Sequence, residues 1–345
     1  MRTLWPLVVL LTLGAATAAI AARGAAPADF RVLDAAAAPA EAGTPPPSTA
    51  SGAAVHPPPP FSLERRLAEH KIPVGNGLAV AIEFVKVHGR LFFEGVAALI
   101  RGSVDGLTAL LRAVHPALLT LGLGALTFFL HRSYGLTAFV VAALLFIMNQ
   151  GYWEATLETL SLVMVAALVS ALLGVPLGIA AAHRPRFYAA LHPVLDLMQT
   201  LPTFVYLIPT LVLFGLGVVP GLISTVIFAL PAPIRLTQLG ISNVPRALIE
   251  AGESFGATRT QLLWKVELPS AAPTILAGVT QCIMLSLSMV VIAALVGANG
   301  LGKPVVRALN SVNVSMGFEA GLAIVILAII LDRVFKRPER RARKL

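Results

Sequence analysis

Long apolar runs separated by short polar connections occupy most of the chain beyond its first third and predict helices that cross a membrane. Seven such runs lie near residues 115 to 130, 135 to 151, 157 to 182, 201 to 217, 219 to 234, 272 to 297 and 317 to 334. Most of them approach the about 20 residues that a helix needs to cross a bilayer. The pattern therefore predicts an all-α polytopic membrane protein with seven core spans.

Three further segments precede these runs. Residues 1 to 22 contain an apolar run that ends in small residues, which fits either a signal peptide or a first transmembrane anchor. Residues 23 to 78 are rich in alanine and proline and predict an extended linker outside the cytoplasm. Residues 79 to 113 carry a charge about once per helical turn, which is typical of an amphipathic helix on the membrane surface.

Composition agrees with a membrane protein, because 57% of the residues are hydrophobic and only 12% are charged. A soluble domain carries about 25% charged residues. The net charge of +9 raises the question of nucleic-acid binding, but many of the basic residues directly follow the last apolar run. They are Arg333, Lys336, Arg337, Arg340, Arg341, Arg343 and Lys344. This placement indicates a basic cytoplasmic tail at residues 335 to 345 and argues against nucleic acid as a partner.

The remaining loops follow the same charge bias. Counting back from a cytoplasmic C-terminus, the loops at 131 to 134, 183 to 200 and 235 to 271 fall in the cytoplasm, and each contains arginine. The opposite loops at 152 to 156 and 217 to 219 contain neither lysine nor arginine. Positively charged residues favour the cytoplasmic side of a span, so the bias supports this topology.

Few residues suit catalysis, metal binding or ion coupling. Cys282 is the only cysteine and is expected to be a small buried hydrophobe. Residues 297 to 304 approach a phosphate-binding loop, but Pro304 stands where a magnesium-binding hydroxyl is needed. A transporter driven by protons or sodium usually places acidic residues or histidine at mid-depth, which the core spans largely lack. An ion-coupled secondary transporter and a passive osmotic channel nevertheless remain alternatives at this point.

The longest predicted cytoplasmic loop, residues 244 to 270, contains two short helical patterns. The first runs from Val244 to Phe255 and is broken by Gly256. Thr258 is a plausible N-cap for a second helix through Glu267, which Pro269 is expected to end. These features predict a compact polar knob, which is either a docking site for another protein or a structured loop.

The same loop resembles the EAA loop of permease subunits from binding-protein-dependent ABC importers. The residues that match are Glu250, Ala251, Gly256, Ala257, Leu268 and Pro269, and Gly252 and Val266 stand at two further positions of the pattern. The family usually has alanine at the position of Gly252 and isoleucine at that of Val266. The resemblance implies a coupling helix that seats in a groove of an ATPase, with Glu250 at the contact and Gly256 at the bend.

A narrower resemblance covers about residues 150 to 334. The segments at 195 to 209, 213 to 221 and 284 to 293 are similar to permease subunits of glycine betaine, proline betaine and choline importers. The segments at 149 to 155 and 302 to 310 lean toward the choline branch. By this resemblance the chain has a MetI-like helical bundle, in which residues 114 to 151 form two accessory spans and residues 152 to 334 form the permease core.

The family resemblance also implies the partners and the mechanism. A cytoplasmic ATPase would bind ATP and magnesium and hydrolyse the ATP, so this chain would be no enzyme and hold no cofactor or metal. A periplasmic or lipid-anchored solute-binding protein would deliver the quaternary amine, and a second permease subunit would complete a homodimer. The complex would lie in a bacterial inner membrane and work by alternating access, supplying an osmoprotectant or a carbon or nitrogen source.

Four residues are candidates for the translocation path. Phe204 and Tyr206 lie beside the helix-breaking Pro202 and Pro209, and aromatic faces bind quaternary ammonium groups well. Membrane-interface anchoring and packing are the alternative roles for such aromatic residues. The other two candidates are Met198 and Met289.

Overall fold

The computed structural model describes residues 82 to 336, and every regular element within that stretch is helical. The predicted N-terminal run at 1 to 22, the linker at 23 to 78 and the basic tail from Arg337 onward lie outside the described residues. Residues 82 to 88 are helical, and a turn at Gly89 leads into the first named helix. The all-α fold class is confirmed.

The helices follow one another through short connections. They are α1 (Arg90–Ala113), α2 (Pro116–His131), α3 (Tyr134–Asn149), α4 (Trp153–His183), α5 (Pro185–Thr200), α6 (Thr203–Phe214), α7 (Val218–Ala229), α8 (Pro231–Ser242), α9 (Arg246–Ser254), α10 (Arg259–Leu262), α11 (Leu268–Ser288), α12 (Val290–Leu295), α13 (Gly302–Asn310) and α14 (Val314–Phe335). A π-helical turn, Leu263–Glu267, joins α10 to α11.

Each of the seven predicted spans coincides with an apolar helix. Four helical stretches are long and apolar enough to cross a membrane unaided: Trp153–His183, Val218–Ser242, Arg259–Leu295 and Val314–Phe335. The helices α2 and α6 reach that length only together with α1 and α5, from which they are bent by 100° and 94°. The helix α3 is apolar but shorter, with 16 residues.

One predicted loop is a helix. Residues 183 to 200 were expected to be a cytoplasmic connection, but Pro185–Thr200 forms α5. Pro185 occupies the first helical turn, where its missing N–H costs no hydrogen bond. Asp196 of α5 lies 2.6 Å from the guanidinium of Arg235 in α8, and this contact holds α5 against the bundle. Within α5, Asp196 also lies 2.9 Å from the ring of His192.

Small residues let α4, α8 and α11 pack closely. A Cβ atom added to Gly174 would lie 2.8 Å from Pro233, and one added to Gly178 would lie 2.6 Å from Thr237. Small side chains are common where membrane helices touch, because they allow the backbones to approach. The four-residue spacing of Gly174 and Gly178 thus permits the close contact of α4 with α8. Cys282 is buried in the core, as expected.

One end of the bundle, which we name the turn end, is fixed by contacts between connections. The N–H of Leu301 donates to Oγ1 of Thr159 near the start of α4 (2.8 Å). The N–H of Gly217, before α7, donates to the carbonyl of Val296 (2.8 Å). The segment at 297 to 304, which was rejected as a phosphate-binding loop, therefore packs against α4 as a structural connection.

The opposite end, which we name the knob end, carries residues 244 to 267. His183, the last residue of α4, lies 2.9 Å from Glu267. Nε2 of His131, at the end of α2, lies 2.8 Å from the carbonyl of Lys336, which directly follows α14. Since α3 returns from α2 to the start of α4, His131 and Lys336 lie away from the turn end. The end of α14 and the knob thus share one end of the bundle.

The helix α1 packs on the core near the turn end. Its Val104 and Thr108 are buried, and its Arg112 reaches Glu154 at 2.6 Å and Glu158 at 2.9 Å. The hydrogen bond to Glu154 raises the pKa of the Arg112 guanidinium, although solvent screening keeps the contribution of such an exposed pair small. The predicted position of residues 79 to 113 on the membrane surface stays a prediction.

Candidate functional site

The first helix of the knob ends in a glycine-dependent turn. Gly256 has a φ of +77°, a backbone conformation that residues with a Cβ atom rarely adopt. Its N–H donates to the carbonyl of Glu253 (2.9 Å), and the N–H of Ala257 donates to the carbonyl of Gly252 (3.1 Å). This pair of bonds is a Schellman motif, which satisfies the last carbonyls of α9. The break predicted at Gly256 is confirmed.

The second helix begins with a capping box. Oγ1 of Thr258 accepts from the N–H of Gln261 (3.4 Å), and the side chain of Gln261 accepts from the N–H of Thr258 (2.9 Å). Two backbone donors at the helix start are thereby satisfied. The predicted N-cap at Thr258 is confirmed.

The predicted end of this helix at Pro269 was wrong. The chain continues through the π-turn into α11, and the N–H of Leu268 donates to the carbonyl of Leu263, five residues earlier. Proline has no N–H and normally interrupts a helix, but it is tolerated in the first turn. Pro269 stands in the first turn of α11 because the π-turn has already changed the hydrogen-bond register. The second half of the knob is consequently continuous with a span.

The two halves of the knob meet at Gly252. A Cβ atom at this position would lie 2.6 Å from Cδ2 of Leu262, which is itself buried. Glycine in place of the usual alanine therefore lets α9 pack directly on the second helix. The departure from the family pattern has a local steric reason.

The outer surface of the knob combines exposed aromatic and acidic side chains. Phe255 is 92% exposed and Trp264 is 67% exposed, and both carboxylates, Glu250 and Glu253, are exposed. Large apolar side chains that face water often mark protein contact sites. The sequence interpretation named Glu250 but overlooked Trp264, whose signal was an aromatic side chain inside a polar loop.

The knob is also braced at its base. Glu267, the last residue of the π-turn, is 8% exposed, and its Oε2 lies 2.9 Å from Nε2 of His183. Nδ1 of His183 lies 2.9 Å from the carbonyl of Ile179, which can only accept a hydrogen bond. The contact with His183 joins the end of α4 to the base of the knob.

The four candidate path residues differ in their surroundings. Phe204 is 54% exposed, Met198 is half-buried, and Met289 is 1% exposed at the break between α11 and α12. Tyr206 is buried, and its hydroxyl has no hydrogen-bond partner among the described residues. None of the four lines the cavities of about 510 Å³ and 680 Å³ that border α1. Their role in translocation stays a prediction.

A family model and the relatives of this chain agree on one family of transport proteins. The family model "Binding-protein-dependent transport system inner membrane component" matches residues 174 to 344. Glycine betaine transport system permease protein OpuAB of Bacillus subtilis is 45% identical over 264 residues, 76% of this chain and 93% of the relative. Glycine betaine/proline betaine transport system permease protein ProW of Escherichia coli is 43% identical over 272 residues, 79% of this chain and 77% of the relative.

More distant similarity follows. Choline transport system permease protein OpuBD of Bacillus subtilis is 33% identical over 174 residues, 50% of this chain and 77% of the relative. Among solved structures, an inward-facing MetNI methionine ABC transporter has a TM-score of 0.48 at 23% identity, covering 52% of this chain and 90% of that chain.

Proposed function

Because this chain belongs to the family of binding-protein-dependent ABC importer permeases, we propose that it carries glycine betaine or proline betaine across a bacterial inner membrane. Membership makes it a transport subunit whose ATP is hydrolysed by a separate ATPase. The family also implies a substrate-binding protein as a partner. We place the C-terminus and the knob in the cytoplasm, where an ATPase can reach them.

The observation that supports betaine as the substrate is the similarity of this chain to two betaine permeases over most of their length. The choline permease matches over a shorter stretch and at lower identity. Betaine is therefore our first choice, and choline, toward which two sequence segments lean, is the second candidate. Both ligands carry a quaternary ammonium group, so the test must compare them directly.

The mechanism we propose uses two copies of the chain and two ATPases. Each knob presents Phe255, Trp264 and Glu250 to an ATPase, and ATP-driven closure of the ATPases draws the knobs together. Since the knob continues into α11 without a break at Pro269, its movement is delivered to a span. The pathway then opens alternately to the two sides of the membrane, which is alternating access.

Reconstitution tests the function. Liposomes that contain the chain, its ATPase and its binding protein should accumulate labelled glycine betaine only when ATP is supplied. The chain alone should accumulate none, with or without an imposed proton or sodium gradient. Competition by unlabelled proline betaine and choline ranks the cargoes. Gradient-driven uptake by the chain alone would instead indicate an ion-coupled secondary transporter. A single-channel current would indicate a passive osmotic channel.

Cysteine labelling tests the topology. Cys282 is fully buried, so replacing it with serine gives a cysteine-free background in which single cysteines can be placed. Thr260 in the knob and Ser311 near the turn end are both exposed. In intact cells, a membrane-impermeant maleimide should label Ser311→Cys but not Thr260→Cys until the cells are lysed. The reverse pattern would put the knob outside, and no cytoplasmic ATPase could reach it.

A further inference from the structure

Glu267 is a buried carboxylate at the point where the knob becomes α11. Among the residues that the structure describes, it is the one Asp, Glu, Lys or Arg that is buried. Removing a charge from water costs several kcal/mol unless a partner compensates. In the EAA pattern Glu267 stands at the unassigned position between Val266 and Leu268, so the family resemblance gives it no role.

His183 is the partner that the fold supplies. Its Nε2 lies 2.9 Å from Oε2 of Glu267, but this oxygen lacks a well-aligned hydrogen-bond donor. Because Nδ1 of His183 faces the carbonyl of Ile179, the ring has little freedom to turn toward the carboxylate. The contact is a close polar contact with imperfect geometry, which a small displacement of α4 or α11 would straighten or break.

The pair also joins two elements that must move together. His183 ends the 31-residue helix α4, which reaches the turn end through Thr159. Glu267 ends the π-turn, and π-turns inside helices frequently mark functional sites. The two side chains thus connect the base of the knob to a second span, in addition to the direct continuation into α11.

We propose that His183 and Glu267 are positioning residues that transmit movement of the knob to α4 and so keep ATP hydrolysis coupled to transport. The proposal rests on the proposed function, since it requires an ATPase that grips the knob. A pair that served stability alone would affect hydrolysis and transport equally, through the amount of folded complex. Coupling, in contrast, appears as a change in the ratio of the two activities.

The test measures ATP hydrolysis and glycine betaine uptake in the same reconstituted complex. In His183→Gln and Glu267→Gln, the number of ATP molecules hydrolysed per betaine transported should rise by about tenfold, a factor within the range that the interaction energies of contacting residues correspond to. The double variant should be no worse than either single variant, because one interaction is removed in all three. The exchange His183→Glu with Glu267→His should restore much of the coupling.

The control is His192→Gln. His192 contacts Asp196 at the same distance of 2.9 Å, but both side chains are about half exposed, so its ratio should match that of the unaltered complex. A proportional fall of both activities in the Gln variants, with no change in the ratio, would reduce the pair to a structural brace. If the unaltered complex itself shows no ATP-dependent uptake, the proposed function fails rather than this inference. His183 is half exposed, so its single variant should assemble even where Glu267→Gln does not.

Discussion

Gly256→Pro is expected to abolish copurification of the ATPase and to reduce betaine uptake to background. Proline holds φ near about −65°, whereas this position has a φ of +77°. The substitution also removes the N–H that bonds to the carbonyl of Glu253. The end of α9 would be rebuilt, and Phe255, which directly precedes Gly256, would no longer face the ATPase. Pull-down from detergent-solubilised membranes and uptake by reconstituted complex measure the two losses.

Gly151→Pro is the matched control. Gly151 has a φ of +76°, and its N–H bonds to the carbonyl of Met148 (3.0 Å), so the backbone damage is equivalent. It lies two residues before Trp153, the first residue of α4, and therefore at the turn end, away from the knob. Copurification of the ATPase should survive in this variant. Equal loss in both variants would attribute the effect to misfolding and leave the docking surface without support.

Gly178→Ala should produce a large loss of stability for the addition of a single methyl group. The new Cβ would lie 2.6 Å from Cβ of Thr237 and 2.7 Å from the carbonyl oxygen of Ile234, both in α8. Neither neighbour is the far end of a flexible side chain, so α4 and α8 must separate. Overpacking of this kind costs about 1 to 3 kcal/mol. A lower melting temperature in detergent and a lower yield of monodisperse protein would report it.

Gly321→Ala is the corresponding control in α14. Gly321 is also helical, but a Cβ added there meets nothing within 4 Å. Alanine is favoured over glycine in helix interiors by about 1 kcal/mol, so stability should be unchanged or slightly higher. If Gly178→Ala melts at the same temperature as this control, the contact between α4 and α8 is looser than the structure indicates.

The sequence was informative wherever a local pattern determines the structure. Apolar runs located the spans, Gly256 located the turn of the knob, and Thr258 located the cap of its second helix. In each case the cause lies within a few residues: hydrophobic length, a positive φ, or a side chain that caps a helix. Such local features do not depend on how the rest of the chain packs.

The failures have a different origin. Pro269 was expected to end a helix because proline lacks an N–H, but the π-turn before it places the residue where that lack is harmless. The contact of His183 with Glu267 joins residues that are distant in sequence, so no local sequence pattern predicts it. The roles of Phe204 and Met289 depend on the surroundings of the pathway in the proposed dimer, which a single chain does not contain.

The helical stretch Arg259–Leu295, which includes the break at Met289, determines how far a movement of the knob can be transmitted. At about 1.5 Å per residue its 37 residues measure roughly 55 Å, more than the thickness of a bilayer. The last residue of this stretch, Leu295, is followed by Val296, whose carbonyl accepts a hydrogen bond from the N–H of Gly217. Tilting this stretch at its knob end would therefore swing the connection between α6 and α7 at the turn end. In the proposed importer, one push by the ATPase would thus reach both faces of the membrane.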